Sequence, residues 1–114
     1  MNNTVHPSPE FKRTLKPLTK KYHTLKQTIQ QLEEDLIDNP YLSESYGSGI
    51  YKVRVADTSK GKGKSGGFRI IYYHLNKTDS GIDMLLLSIF DKSERSTIKK
   101  DEAIKILATA LKEL

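Results

Sequence analysis

Ile50-Tyr51-Lys52-Val53-Arg54-Val55-Ala56 and Phe68-Arg69-Ile70-Ile71-Tyr72-Tyr73 flank the run Lys60-Gly61-Lys62-Gly63-Lys64-Ser65-Gly66-Gly67. Successive side chains of an extended chain point to opposite faces. The first stretch therefore places Tyr51, Val53 and Val55 on one face and Lys52 and Arg54 on the other. The second separates Phe68, Ile70 and Tyr72 from Arg69, Ile71 and Tyr73. The glycine- and lysine-rich run between them reads as a flexible basic loop. Two strands paired through that loop would bring Lys52, Arg54 and Arg69 onto one sheet face, although the register is not legible from the sequence.

Downstream, Asn76 to Gly81 is a polar turn and Ile82 to Phe90 is apolar on both faces, as suits a central strand. Asp91 to Ser96 is a charged loop. A last helix from about Ile98 to Glu113 carries the stripe Ala103, Ile104, Leu107, Ala110, Leu111 and Leu114.

Upstream, Ser8-Pro9-Glu10 starts a helix, with a capping hydroxyl, a proline at the first helical position and an acid at the positive end of the dipole. Phe11, Leu15, Leu18 and Tyr22 recur at helical spacing, and Pro17 should bend that helix or end it early. Thr24-Leu25-Lys26-Gln27 reads as a capping box opening a second helix with Leu25, Ile29, Leu32, Leu36 and Ile37 buried. Asn39-Pro40 ends it. A hairpin of two helices and a single bent helix both fit the spacing. Asn3 to His6 is a brief candidate edge strand, and Tyr46-Gly47-Ser48-Gly49 is turn chemistry.

These elements give an α+β fold: an N-terminal helical hairpin and a C-terminal helix, with the helices packed on one side of a small curved antiparallel sheet. At 114 residues, one domain over 1–114 is expected. Nineteen Lys and Arg against fourteen Asp and Glu leave a formal charge of +5, which favours an acidic partner such as nucleic acid. The absence of cysteine excludes disulfides, thiolate nucleophiles and zinc ribbons. No apolar run approaches the roughly 20 residues of a spanning helix, so no membrane partner and a cytoplasmic location are expected.

Gly63-Lys64-Ser65 resembles the end of a phosphate-binding P-loop, but Thr58 stands where the first glycine belongs and a strand, not a helix, follows. Nucleotide binding is therefore rejected. His6, His23 and His74 are scattered, so no metal site is expected. Glu33-Glu34-Asp35 reads as a solvated helix face. The cationic sheet face suits RNA phosphates, and Tyr73 beside it could stack on a base. A solvated sheet face with a basic hairpin explains these residues equally well.

The order of elements, with Tyr51-Lys52-Val53-Arg54, the basic glycine-rich turn and Gly67-Phe68-Arg69-Ile70-Ile71-Tyr72, resembles the RelE/ParE toxin superfamily. The extended Gly-Lys-Gly-Lys-Ser-Gly-Gly turn is closer to its HigB-like branch, and Phe90-Asp91-Lys92-Ser93-Glu94-Arg95-Ser96 before the last helix completes the likeness. The resemblance spans roughly Glu10 to Leu111. It implies the toxin of a type II toxin–antitoxin system, with a cognate antitoxin, the ribosome and mRNA as partners. The implied reaction is metal-independent endonucleolytic cleavage of mRNA by the RNA 2′-hydroxyl, without a cofactor.

Carried over residue by residue, the resemblance implies catalysis by Lys52, Arg54 and Arg69; Tyr73 joins them as a candidate catalytic residue, and Lys62, Lys64, Lys92 and Arg95 are candidates for RNA or ribosome contact. Lys52 is the candidate base, since a lysine crowded by cations gives up its proton more readily. Arg54 and Arg69 are candidates for stabilising the phosphorane. Ser93 stands where the RelE archetype has an arginine, and Lys99 where it has a tyrosine, which leaves Tyr73 or Lys92 for the acid. Two other functions fit the same resemblance: gyrase inhibition of the ParE type, and RNA or ribosome binding without cleavage.

Overall fold

A computed structural model describes residues 2–57, 67–95 and 97–114. The elements in chain order are β1 (Thr4–Pro7), α1 (Pro9–Lys21), α2 (Leu25–Asp38), β2 (Glu44–Gly47), β3 (Ile50–Val55), β4 (Phe68–Thr78), β5 (Gly81–Asp91) and α3 (Lys100–Lys112). The strands form one sheet in the order β1-β5-β4-β3-β2. The α+β class, the N-terminal helical hairpin and the C-terminal helix are those expected.

Three points differ from the sequence reading. The sheet is mixed, because β1 pairs in parallel with β5, Val5 opposite Met84. A parallel neighbour needs a long crossover, which the two helices and three other strands supply. The second difference is β2, which occupies Tyr46 and Gly47 where only a turn is legible; four residues are too few to display a period. Third, the helices do not share one side of the sheet.

α1 and α2 pack on Val53, Val55, Phe68, Ile70, Tyr72, Met84 and Leu86. On the opposite face α3 covers Ile50, Ile71, Leu85 and Leu87 through Ile98, Ala103 and Ala110. β5 is apolar on both faces, so a single helical layer would leave Leu85 and Leu87 in water. Burying a side chain of this kind is worth about 2 kcal/mol, and the second layer follows.

The helix boundaries follow local chemistry. Ser8 Oγ accepts the Phe11 amide at 3.0 Å, and Pro9 opens α1 as expected. α1 runs through Pro17 to Lys21 without ending early. Two helices, not one bent helix, follow from the break at residues 22–24. Thr24 makes no side-chain cap on α2. Its hydroxyl and that of Thr28 donate instead to the buried Asp57 carboxylate, at 2.9 and 2.5 Å. In α3 the packed residues are Ala103, Ile106, Leu107 and Ala110, while Ile104 and Leu111 are exposed. The buried stripe is thus rotated from the one read in the sequence, and Ile37 of α2 is likewise exposed.

Where the end of α2 meets β3 and β4, His74 stacks on Tyr51 at 4.3 Å between ring centroids and meets Tyr41 edge-on at 5.0 Å. Its Nε2–H donates to the Pro40 carbonyl at 2.8 Å. Burial lowers the His74 pKa first; the Pro40 bond opposes this and the nearby Lys77 charge adds to it. A histidine whose folded pKa lies below its unfolded value is harder to protonate when folded. Its stabilising contribution is complete above the unfolded pKa of about 6.5 and is lost as pH falls through it toward the folded value. Urea unfolding of the wild type between pH 7.5 and 5 is expected to show that loss, and His74→Phe is expected to flatten the profile over the same window.

Candidate nucleic-acid interface

β3 and β4 pair antiparallel with Lys52 opposite Ile71, Val53 opposite Ile70 and Arg54 opposite Arg69. The register left open by the sequence therefore brings Lys52, Arg54 and Arg69 onto one face, the face α3 partly covers. The two arginines are direct cross-strand neighbours, with Cα atoms about 5 Å apart in such a pair. Like charges directly opposite destabilise a sheet. Arg54 is exposed, but Arg69 is 3% exposed and its guanidinium donates to the Phe68 carbonyl at 3.3 Å. Burial lowers the Arg69 pKa, and the facing Arg54 charge lowers it further.

At Gly67 the two backbones leave no room for a side chain. A Cβ at Gly67 would lie 2.0 Å from the Val55 carbonyl oxygen, so the backbones meet where only glycine fits. The Lys92 amide donates to the Gly67 carbonyl at 3.2 Å, bringing the segment after β5 to the Arg69 end of the face. Lys62 and Lys64 lie outside the described residues.

Asp91 ends β5 as a buried carboxylate. It accepts from the Tyr22 hydroxyl at 2.9 Å and from the Ser93 amide and hydroxyl at 2.9 and 2.8 Å. Ser93, which departs from the archetype, thus shapes the turn that carries Lys92 and Arg95. Asp91→Ala strips the acceptor from these donors and should cost about 2–3 kcal/mol. The expected reading is a thermal midpoint lower by roughly 10 °C.

Arg95 donates to the Thr97 carbonyl at 3.1 Å and forms an ion pair with Glu102 in the first turn of α3. It reaches the rim of the face already engaged. Tyr73 is on the same face as Arg69 but four residues further along β4, about 13 Å away. Its ring packs over Gly49, where a Cβ would approach it to 3.2 Å, and borders the core under α3. Tyr73 is therefore brought to the face but not to the arginine pair.

Two residues join this region that the sequence did not single out. Tyr46 of β2 lies with its ring centroid 5.6 Å from Lys52 Nζ. Lys100, at the start of α3, has its Nζ 3.3 Å from where a Cβ of Gly47 would stand. A strand of four residues and a helix boundary two residues later than expected hid both. Beside the face, a groove of about 650 Å³ follows the outer edge of β3, lined in part by Thr28, Asp35, Ser43, Lys52 and Arg54. Among the described residues no group of three or more His, Asp or Glu side chains converges. No helix among them is long and apolar enough to cross a membrane.

Residues 4–114 match the family described as "RelE toxin of RelE / RelB toxin-antitoxin system". The chain belongs to the RelE toxin family. It is accordingly a toxin of the toxin–antitoxin type, and an antitoxin is the partner that membership implies. The RelE fold is also evident in a solved structure, that of a mutant E. coli toxin RelE in the free state. The likeness covers 100% of this chain and 99% of that one, with a TM-score of 0.56 at 15% identity. At that identity the comparison speaks for the fold, with α3 included in the RelE architecture.

Proposed function

We propose that this RelE-family toxin is a ribosome-dependent mRNA endonuclease that inhibits translation. The observation that carries the reading is the direct pairing of Arg54 and Arg69, with Lys52 two residues away on the same face. A face selected only for stability gains nothing from two arginines in direct opposition. A phosphorane does, because its charge grows in the transition state and fixed cations stabilise it there.

In the proposed step the Lys52 amine removes the proton from an RNA 2′-hydroxyl. The 2′-oxygen attacks the adjacent phosphorus, Arg54 and Arg69 hold the equatorial oxygens, and the bond to the 5′-oxygen breaks. The product is a 2′,3′-cyclic phosphate and a free 5′-hydroxyl. Lys92, which follows the β5 partner of Phe68, is better placed than Tyr73 to protonate the leaving oxygen at the arginine end. Tyr73 then serves to stack a neighbouring base. Lys62, Lys64 and Arg95 contact RNA or ribosome, Arg95 by exchanging Glu102 for phosphate. The reaction as proposed needs no cofactor or metal. A cognate antitoxin would neutralise the protein, acting within the cytoplasm as one domain over 1–114.

A second reading, RNA or ribosome binding without cleavage, is favoured by the engagement of Ser93 with Asp91 and of Arg95 with Glu102. Primer extension on a reporter mRNA separates the two. Discrete cuts that require translation of the reporter are expected. Growth arrest with intact mRNA would overturn the nuclease reading and leave binding, or gyrase inhibition, in its place.

A further inference from the structure

We propose that Tyr46 is the positioning residue for Lys52, holding its ammonium over the cation face by ring contact while its hydroxyl locks that ring to the chain entering α3. The inference rests on the nuclease reading for the role of Lys52, but its geometry does not.

The register of β2 against β3 shows how Tyr46 comes to be there. Glu44 pairs with Lys52 and Ser45 with Tyr51, and the next pair is Gly47 with Ile50. Tyr46 is the extra residue of this irregularity, and a bulge of this kind re-aims a side chain. The turn that follows sustains it, since Gly47, Ser48 and Gly49 all have left-handed φ, at 89°, 56° and 79°. Re-aimed, the ring joins the core under α3 together with Ile98 and Leu107. The Tyr46 hydroxyl donates to the Ile98 carbonyl at 2.6 Å. Burial is the largest influence raising its pKa, so the hydroxyl keeps the proton it donates.

Lys52 shares this kind of ring contact with Lys21, over Tyr22, and Lys77, over Tyr41, but is the one of the three on the cation face. Arg13 and Arg95 are held by carboxylates. Among the described residues no carboxylate lies within ion-pair distance of the Lys52 ammonium, and the Tyr46 ring is its neighbour at 5.6 Å. A carboxylate would compete with a phosphate for the lysine and accept its hydrogen bonds. An aromatic face attracts the cation but takes no proton and leaves its N–H groups free. The ring thus fixes the lysine without occupying the positions that a substrate needs. The Ile98 bond ties this to the docking of α3, so a shift of residues 97–99 would be felt at Lys52.

The test compares wild type with Tyr46→Phe, Tyr46→Leu, Lys52→Ala and the double variant Tyr46→Leu/Lys52→Ala, in single-turnover cleavage on programmed ribosomes. Tyr46→Leu is expected to slow the cleavage step on the order of three- to thirtyfold, because a lysine no longer held in place spends less time aligned with the 2′-hydroxyl, with substrate affinity little changed. Tyr46→Phe, which keeps the ring but loses the Ile98 bond, should fall between wild type and Tyr46→Leu. In the Lys52→Ala background the leucine change should add nothing. Equal losses with and without Lys52 would overturn the proposal, marking Tyr46 as purely structural.

NMR of the Lys52 side chain supplies a readout that needs no cleavage. Its terminal methylene protons should be shifted upfield by the ring current in wild type and Tyr46→Phe, but not in Tyr46→Leu. Absence of that shift in wild type would also overturn the positioning. A shift that behaves as expected in a protein that cuts nothing would sustain the positioning and remove the nuclease reading.

Discussion

Arg69→Ala is expected to abolish most mRNA cleavage while leaving a folded protein. Arg69 is buried to 3% exposure against the facing charge of Arg54. A guanidinium in that position is already desolvated and oriented before substrate arrives, so it spends little on reorganisation when charge develops on the phosphate. Loss of one such preorganised donor costs about 100- to 1,000-fold in rate in comparable sites. Single-turnover cleavage of ribosome-bound mRNA measures this, with circular dichroism and the thermal midpoint as the check on folding. Removing the arginine also relieves the like-charge opposition, so stability should fall less than for an ordinary buried truncation. A variant that stays folded and cuts at the wild-type rate would remove Arg69 from the chemistry and undermine the proposed function.

Gly67→Ala should have the second largest effect, acting through the backbone. The added methyl would sit 2.0 Å from the Val55 carbonyl oxygen and 3.0 Å from its carbon. Neither is the far end of a flexible side chain, so β3 and β4 must separate where they carry Arg54 and Arg69. Forcing a methyl into such a contact costs about 1–3 kcal/mol or more. The expected result is a urea midpoint shifted down with unchanged m-value, and a further loss of cleavage as the arginine spacing opens. Gly47→Ala makes a useful contrast. It is strained by its φ of +89°, but its added methyl meets only the flexible end of Lys100, at 3.3 Å. If the two variants lose cleavage equally at matched stability, the arginine spacing is not what Gly67 protects.

The cation face was legible because its information is local. Alternation along Ile50–Val55 and from Phe68 onward determines which residues share a face, and the glycine-rich run between them makes a hairpin pairing of the two strands the simplest connection. Lys52, Arg54 and Arg69 could therefore be placed together before any coordinates. Their cross-strand partners could not be read, because register depends on where the loop closes and on bulges, and shifting the pairing by one residue flips every side chain. The bulge at Tyr46 has the same origin. Nothing in Glu44-Ser45-Tyr46-Gly47 announces that one residue is extra until β3 is laid beside it.

The sequence by itself determined the order α1, α2, β3, β4, β5, α3, the capped start of α1 at Ser8, the two faces of β3 and β4, and a family resemblance resting largely on those same residues. Only the tertiary structure decided that α3 lies on the face opposite the helical hairpin, that β1 runs parallel to β5, that Tyr46 stands beside Lys52 and that Lys100 stands beside Gly47. The division has one physical cause. Hydrophobic periodicity and capping act over a few residues of the same chain segment, whereas layer, strand direction and neighbour are set by which apolar surfaces bury one another. Leu85 and Leu87 of β5 show the difference: the sequence reveals that both of the strand's faces must be covered, and only packing reveals that α3 is the element that covers the second.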